Sequence, residues 1–312
     1  MSRPTAARVI HDPTGVDNNL PSPVATIGNF DGVHRGHQKI LETLQDRARA
    51  LDGTTVVITF NPHPQKVLHP DSAPRLIDTP AQKHRRLASA GADVIYELPF
   101  TRALAALTPD EFVQQTLLRP LRVREVWIGR NFRFGHGRTG DFETLETLGR
   151  AHGFSARPVD GVRHSGIRIS SSRVRESLAA GDIETARALL GHHPELIGRV
   201  YRGDGRGHDL GFPTANLNIE NELLPLTGVY ATLLQDGDIS RPSVTNIGSR
   251  PTFPGAGAAV EAHVLDFDAD LYDRTVALQF VARLRDEKRF ADLAALKAQI
   301  VLDTRKAREM LS

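Results

Sequence analysis

Apolar positions follow two different rhythms along the chain. In the first half, short apolar runs alternate with segments of helical spacing. Val24–Ile27, Thr54–Phe60 (TTVVITF), Asp93–Phe100 (DVIYELPF) and Glu125–Gly129 (EVWIG) read as strands. Gln38–Leu51 carries Ile40, Leu41, Leu44, Ala48 and Leu51 near helical spacing. Thr79-Pro80-Ala81-Gln82 and Thr108-Pro109-Asp110-Glu111 each offer an N-cap hydroxyl, a proline at the first helical position and a Gln or Glu closing a capping box. Strand–helix alternation predicts an α/β domain of Rossmann-like type, with a parallel sheet covered by helices on both faces. Ligands of such sheets bind at the carboxyl ends of the strands.

The second half has no helical segment between its strands. Leu196–Tyr201, Gly228–Leu234, Ser243–Ile247, Val260–Phe267 and Thr275–Leu284 follow one another with turn signals between. This predicts an antiparallel β-barrel or sandwich. A last helix, over 290–311, puts Leu293, Leu296, Ile300, Ala307 and Leu311 on one face to pack on the barrel. The helical pattern of the first half ends in Gly191-His192-His193-Pro194, so the expected domains are 1–190 and 191–312.

Composition changes this picture little. A chain of 312 residues suits about two domains. Hydrophobic residues make up 40% and charged residues 24%, and the formal net charge is only +2 with no long basic run, so no nucleic-acid partner is expected. Cysteine is absent, which excludes disulfides, thiolate zinc sites and cysteine nucleophiles and fits a reducing cytosol; a cytoplasmic protein is the expectation. No signal peptide and no bilayer-length apolar run is read, so no membrane association is expected. Self-association is left open.

The chemistry concentrates at predicted strand ends. GNFDGVHRGH, residues 28–37, leaves an apolar strand, turns at glycines and opens a helix. A helix start offers unpaired N–H groups and a positive dipole end, which suit an anion. His34 and His37, three apart, share a face and add donors beside those amides. TFNPHP (59–64) and NFRFG (131–135) follow other strands, and RISSSRVR (168–175) opens a helix with hydroxyls and arginine forks suited to polyphosphate oxygens. Each has a plainer alternative: a solvated helix start for the histidines, a helix cap for the serines, core packing for Phe132 and Phe134. As a zinc pair, His34 and His37 lack an evident third ligand.

In the second half, GDGRGHDLGFPTANL (203–217) places glycines, Gly203 and Gly207 among them, where backbone N–H groups can wrap phosphate. Thr214 and Asn216 follow with a hydroxyl and an amide oxygen, the hard donors that magnesium prefers. Glu261 is a strand carboxylate, either outward-facing and inert or a base.

Together these motifs resemble one family. GNFDGVHRGHQ, TFNPHP, NFRFG and ISSSRVR are similar to the adenylyltransferase module of bacterial bifunctional riboflavin kinase/FAD synthetases, a branch of the HxGH nucleotidyltransferases. PTAN (213–216), TNIG (245–248), PTF (251–253), VEAH (260–263) and the run from Leu265 to Phe290 resemble the riboflavin kinase module. The resemblance implies two reactions: ATP-dependent phosphorylation of riboflavin to FMN by the second domain, and adenylylation of FMN to FAD, with release of pyrophosphate, by the first. Flavins are then substrates and products, ATP is co-substrate and Mg2+ the cofactor. It also implies roles. His34 and His37 meet the ATP phosphates and the developing charge; Gly28, Phe30 and Gly36 form the nucleotide turn; Asn131 places substrate at the transfer point. Arg168, Ser171, Ser172 and Arg175 hold the pyrophosphate end, Asn61, Pro62 and Phe132 meet the flavin, Thr214 and Asn216 hold magnesium, and Glu261 is general base. The sequence departs from the family where Asn61 replaces a frequent Asp, Ser172 a usual Thr, and His208 and Asp209 a usual Arg and Thr.

Overall fold

A computed structural model describes residues 7–11, 19–164, 166–203, 211–248 and 258–311. Two compact units divide at Ser170 and Ser171.

The first unit is built on a six-stranded sheet. Its strands are β1 (Arg8–Ile10), β2 (Val24–Ile27), β3 (Thr55–Asn61), β4 (Val94–Pro99), β5 (Glu125–Gly129) and β6 (Ser155–Val159). They run parallel in the order β1-β4-β3-β2-β5-β6. The chain therefore winds outward from β2 through β3 and β4, then crosses back to lay β5 on the other side of β2. The β2/β5 boundary is the switch point, where helices on opposite faces leave a crevice.

The helices follow their caps. α1 (Arg35–Ala50) begins three residues before the predicted start because His34 serves as its N-cap. α2 (Pro64–Leu68) and α3 (Pro80–Ser89) follow β3, and α4 (Arg102–Ala106) and α5 (Pro109–Val113) follow β4. Both expected capping boxes form, Thr79 with Gln82 and Thr108 with Glu111. A π-helical turn over Gln114–Leu118 links α5 to α6 (Arg119–Leu121), and α7 (Phe142–His152) precedes β6. The alternation of β-strand side chains divides the core between the two faces. Ala25, Ile27, Val56 and Ile58 pack with Phe112, Leu117 and Leu145 of the later helices, whereas Val57 and Ile95 pack with Leu41 of α1 and Leu87 of α3. The small hairpin β7 (Arg163–His164) and β8 (Ile167–Arg168) ends this unit.

The second unit opens with α8 (Ser171–Ala179) and α9 (Ile183–Leu190), which pack on each other. Strands β9 (Glu195–Tyr201), β10 (Ala215–Ile219), β11 (Gly228–Asp236), β12 (Ile239–Gly248), β13 (Ala259–Val264) and β14 (Thr275–Arg285) close an antiparallel barrel in the order β10-β13-β12-β11-β14-β9. α9 buries Ile183, Ala186, Leu189 and Leu190 and contacts β14. Contacts thus group the two helices with the barrel, although the helical sequence pattern associates residues 171–190 with the first half.

The last helix, α10, spans Leu293–Leu311. Its inward stripe centres on Ala307 and on Asp303, which is 2% exposed and accepts hydrogen bonds from Arg285 and Gln299. Leu293, expected in the packed face, is 65% exposed. It sits in the first turn, just after Asp292 caps the helix by accepting from Ala295 N–H.

Candidate active sites

The first unit holds two clefts at the carboxyl edge of its sheet. The smaller, about 340 Å3, lies at the β2/β5 switch point. His34, Gly36 and His37 line it after β2, Gly129 to Asn131 after β5, and Asp160, Gly161 and Arg163 after β6; Arg168 completes the wall.

The histidine pair is fixed by the helix start. His34 is extended and 6% exposed, and its Nδ1 accepts the His37 backbone N–H at 3.3 Å. In a neutral imidazole the proton then resides on Nε2, which is a donor. The His37 ring stacks on His34, with centroids 3.6 Å apart and planes 12° from parallel, and its other neighbour is Phe30 at 4.9 Å. Burial first, and the adjacent His34 second, hold His37 well below the ordinary imidazole pKa. Its Nδ1 is buried without a hydrogen-bond partner among the described residues. Gly36 permits the stack: a Cβ there would stand 3.1 Å from His34 Cε1.

The turn that presents this pair is strained and braced. Phe30 and Val33 have φ of 50° and 34°, although both are bulky and 1% exposed. Asp31 between them is buried, and its carboxylate accepts the backbone N–H groups of Ile77 and Asp78 at 3.0–3.2 Å. That brace was not foreseen from sequence, where Asp31 reads as one more polar turn residue.

The second cleft, about 710 Å3, adjoins the first at Asn131, which lines both. Its walls carry Phe60 from the end of β3, Phe100 from the loop after β4, Phe112 from α5, and Phe132 and Phe134 from the loop after β5. Phe132 and Phe134 stack with centroids 5.8 Å apart, and Phe100 meets Phe60 edge-on at 5.5 Å. Phe134 is 5% exposed and belongs to the core as well. Phe100 and Phe112 carried no motif, yet Phe100 directly follows β4, a position the carboxyl-edge rule would have flagged. Asn61 and Pro62 do not line either cleft. The Asn61 amide instead donates to Glu97 at 3.3 Å. Glu97 is a buried hub that also meets Lys83 at 3.1 Å and His84 at 2.9 Å. Burial alone would raise its pKa, but the His84 hydrogen bond and the Lys83 charge hold it at about 2.

Arg168 is a cleft residue, and Arg163 is its register partner on the β7–β8 hairpin. Ser171, Ser172 and Arg175 follow at the start of α8, within the second unit.

On the barrel, Asn216, Glu261 and Asn246 are direct partners across β10, β13 and β12, so their side chains leave the same face in one row. Burial alternates along β13, with Val260, Ala262 and Val264 inside and Glu261 and His263 between them less buried. Asn216, which no predicted strand includes, belongs to β10. Its side chain packs against Gly203, where a Cβ would lie 2.4 Å from Nδ2. His263 Nδ1 lies 2.9 Å from the Pro213 carbonyl oxygen and clips the segment before Thr214 to β13. Thr214 lines a pocket of about 400 Å3 with Phe267, Asp268 and Tyr272. Gly207, His208, Asp209 and the PTF segment lie outside the described residues. Among the described residues, no cluster of three or more His, Asp or Glu side chains is arranged to hold a metal, and no helix is long and apolar enough to cross a membrane.

A nucleotidyltransferase-like parallel sheet and a closed antiparallel barrel in one chain define a restricted class, and comparison narrows it. The FAD synthetase family profile matches residues 17–173, and the riboflavin kinase profile matches 190–311. The chain is 41% identical over 300 residues to the bifunctional riboflavin kinase/FMN adenylyltransferase of Escherichia coli strain K12, covering 95% of this chain and 96% of that protein. It is 42% identical to the Pseudomonas fluorescens protein of the same description, covering 92% of each. A solved structure described as a macrolide-efflux protein from Streptococcus pneumoniae shares 29% identity and superimposes with a TM-score of 0.89, covering 97% of this chain and 98% of that one. The chain belongs to the bifunctional riboflavin kinase/FMN adenylyltransferase family.

Proposed function

We propose that the protein makes FMN and FAD in the cytoplasm: residues 191–312 transfer the γ-phosphoryl group of ATP to riboflavin, and residues 1–190 transfer AMP from a second ATP to FMN. The observation that carries the reading is Asn131, common to a cleft at the switch point lined by His34, His37 and Arg168 and a phenylalanine-lined cleft beside it. Two ligands, one a polyphosphate and one a flat aromatic, would meet at that residue.

In the adenylyl transfer, a phosphate oxygen of FMN bonds to the α-phosphorus of ATP as the bond from that phosphorus to the bridging oxygen breaks. Pyrophosphate leaves with the electron pair. No proton transfer is needed, so the protein acts by alignment and by donors aimed at developing charge. His34 Nε2–H is one such donor. His37, stacked on His34 and lining the same cleft, adds positive charge there when it is protonated, and phosphate favours that state. Arg168 of the first cleft takes the leaving pyrophosphate; for Ser171, Ser172 and Arg175 the same role is supported by their sequence motif. Phe132 faces the flavin; Asn61 and Pro62 support the loop that follows β3.

In the kinase reaction, the terminal ribityl hydroxyl attacks the γ-phosphorus, its proton passes to Glu261 and ADP leaves. Thr214 and Asn216 provide oxygen donors of the type that magnesium binds, and Asn216 is adjacent to Glu261 on the barrel wall. Magnesium, when bound, shields the phosphate charge. Incubation with riboflavin, ATP and Mg2+, followed by chromatography, tests the whole reading. FMN and FAD are both expected, and neither with EDTA present; failure to make FAD from supplied FMN would remove the first-unit assignment.

A further inference from the structure

The loops after β2 and β3 are joined by one contact whose polarity can be worked out. Asn29 Nδ2 and His63 Nε2 lie 3.0 Å apart. His63 is also the N-cap of α2, and its Nδ1 accepts the Gln65 backbone N–H at 3.2 Å. A neutral imidazole has one donor and one acceptor nitrogen. The backbone N–H of Gln65 is a fixed donor, so Nδ1 is the acceptor and Nε2 carries the hydrogen. Two donors would then face each other across the Asn29 contact. An amide reverses by a half-turn with no change of shape, and its orientation is assigned from its partners. The Asn29 oxygen therefore faces His63, and its NH2 group points the other way.

That direction matters because Asn29 lines the 710 Å3 cleft and His63 does not. Asn29 also sits at a particular place along it. Gly28 and Asn29 follow β2, Asn131 follows β5, and these strands are neighbours at the switch point. The Asn29 carbonyl is held as well, by the Thr59 hydroxyl at 3.2 Å. Asn29 thus lines the aromatic cleft beside Gly28, on a backbone tied to β3.

We infer that Asn29 is a substrate-binding residue whose NH2 group donates to the phosphate of FMN, and that His63 is the positioning residue that sets the amide's polarity. This rests on the adenylyltransferase reading of the two clefts. A neutral donor suits the task, since it orients a phosphate oxygen without taking the charge that makes it a nucleophile.

The test is Asn29→Asp. Its carboxylate still accepts from His63 Nε2–H, but it turns an acceptor and a negative charge toward the phosphate. With supplied FMN and ATP, the KM for FMN should rise at least about tenfold while the KM for ATP stays within about twofold, the direction expected for loss of a donor and gain of a like charge. Lumiflavin, which has the ring system but neither ribityl chain nor phosphate, should inhibit FAD formation with an unchanged inhibition constant. An unchanged KM for FMN would overturn the proposal, as would an equal rise in the lumiflavin constant, which would place Asn29 at the ring. His63→Leu, which frees the amide to rotate, should raise the KM for FMN by a smaller factor, and Asn29→Asp should have less effect in that background than in the parent. Full additivity would remove the positioning role of His63. FAD formation by the parent protein is the separate check on the underlying reading.

Discussion

The imidazoles of His34 and His37 lie face to face, 3.6 Å between centroids, at the start of a helix that His34 caps. Burial first, and the charge of the stacked neighbour second, hold the His37 pKa well below the ordinary imidazole value. Under the proposed function, a polyphosphate bound at the pair would bring a counter-charge, and a proton would be taken up at His37 with it.

Removing the pair should separate the two activities. His34→Ala with His37→Ala is expected to lower FMN-to-FAD conversion by about 100-fold or more, the scale seen when aimed transition-state donors are lost. Riboflavin phosphorylation should persist, because the proposed kinase residues are all in the barrel. Assays started from riboflavin and from FMN check both statements.

Acid should act through His37 in a definite direction. Its folded pKa lies below its unfolded value, so between the two the unfolded chain binds the extra proton. No penalty exists above about pH 6.5, the ordinary imidazole value, and stability falls as the pH drops below it. His37→Asn should flatten that part of the profile in denaturant titrations. Glu97, held at about 2, behaves as a depressed carboxylate. Its contribution is complete above its unfolded pKa and disappears as the pH falls toward 2, well outside the His37 window. A parent and variant with superimposable profiles between pH 5 and 6.5 would contradict the His37 assignment.

The elements were legible in sequence where periodicity and capping agreed. The four central strands of the sheet, α3 and α5 with their Thr-Pro starts, and five barrel strands lie near their expected positions. The edge strands β1 and β6 were not, since three residues of RVI and the alternating SARPV offer too little pattern. β10 was hidden for another reason. Ala215-Asn216-Leu217-Asn218 puts two asparagines on its less buried face, so no apolar run marks it. At the site, histidines, glycines and Asn131 could be read from motifs. Asp31 and the Asn29–His63 contact could not, because their partners are distant in sequence and no local spacing encodes them; Arg163 lies near its partner Arg168 but in no motif.

Asp31 carries a stability prediction. It is 5% exposed and bonded to two backbone N–H groups of a separate loop. Asp31→Ala leaves both buried donors unpaired, at a cost of about 2–4 kcal/mol on the usual scale for such losses. The strained turn at Phe30 and Val33 depends on the same brace, so the midpoint of unfolding and the KM for ATP in FAD synthesis should shift together. Asp31→Asn keeps an oxygen acceptor and should recover part of both.

Gly203 tests the proposed metal edge without removing a proposed metal-binding atom. A methyl group there would meet Asn216 at 2.4, 2.7 and 2.9 Å, and only the flexible side chain need move. Gly203→Ala should therefore fold normally but displace the proposed magnesium oxygen. The expected result is a raised Mg2+ requirement for riboflavin phosphorylation, with FAD synthesis from FMN unaffected. An unchanged Mg2+ dependence would separate Asn216 from the metal.

The row Asn216–Glu261–Asn246 divides the kinase roles by chemistry. Glu261 is flanked on both sides by amides that can hold a hydroxyl or a metal but cannot accept a proton at neutral pH. If the carboxylate receives the ribityl proton, Glu261→Gln removes that capacity and keeps size and hydrogen bonding. Turnover with riboflavin should then fall steeply while the KM for ATP changes little, the pattern of an interaction made mainly in the transition state. Thr214→Ala deletes a proposed metal oxygen, so it should also raise the KM for magnesium-ATP. Both variants should convert supplied FMN to FAD at the parent rate, which distinguishes a site effect from general damage. The measurement is initial velocity at saturating magnesium-ATP, riboflavin in one series and FMN in the other. A Glu261→Gln enzyme that phosphorylates riboflavin at the parent rate would return Glu261 to the status of an ordinary carboxylate on the outer wall of the barrel.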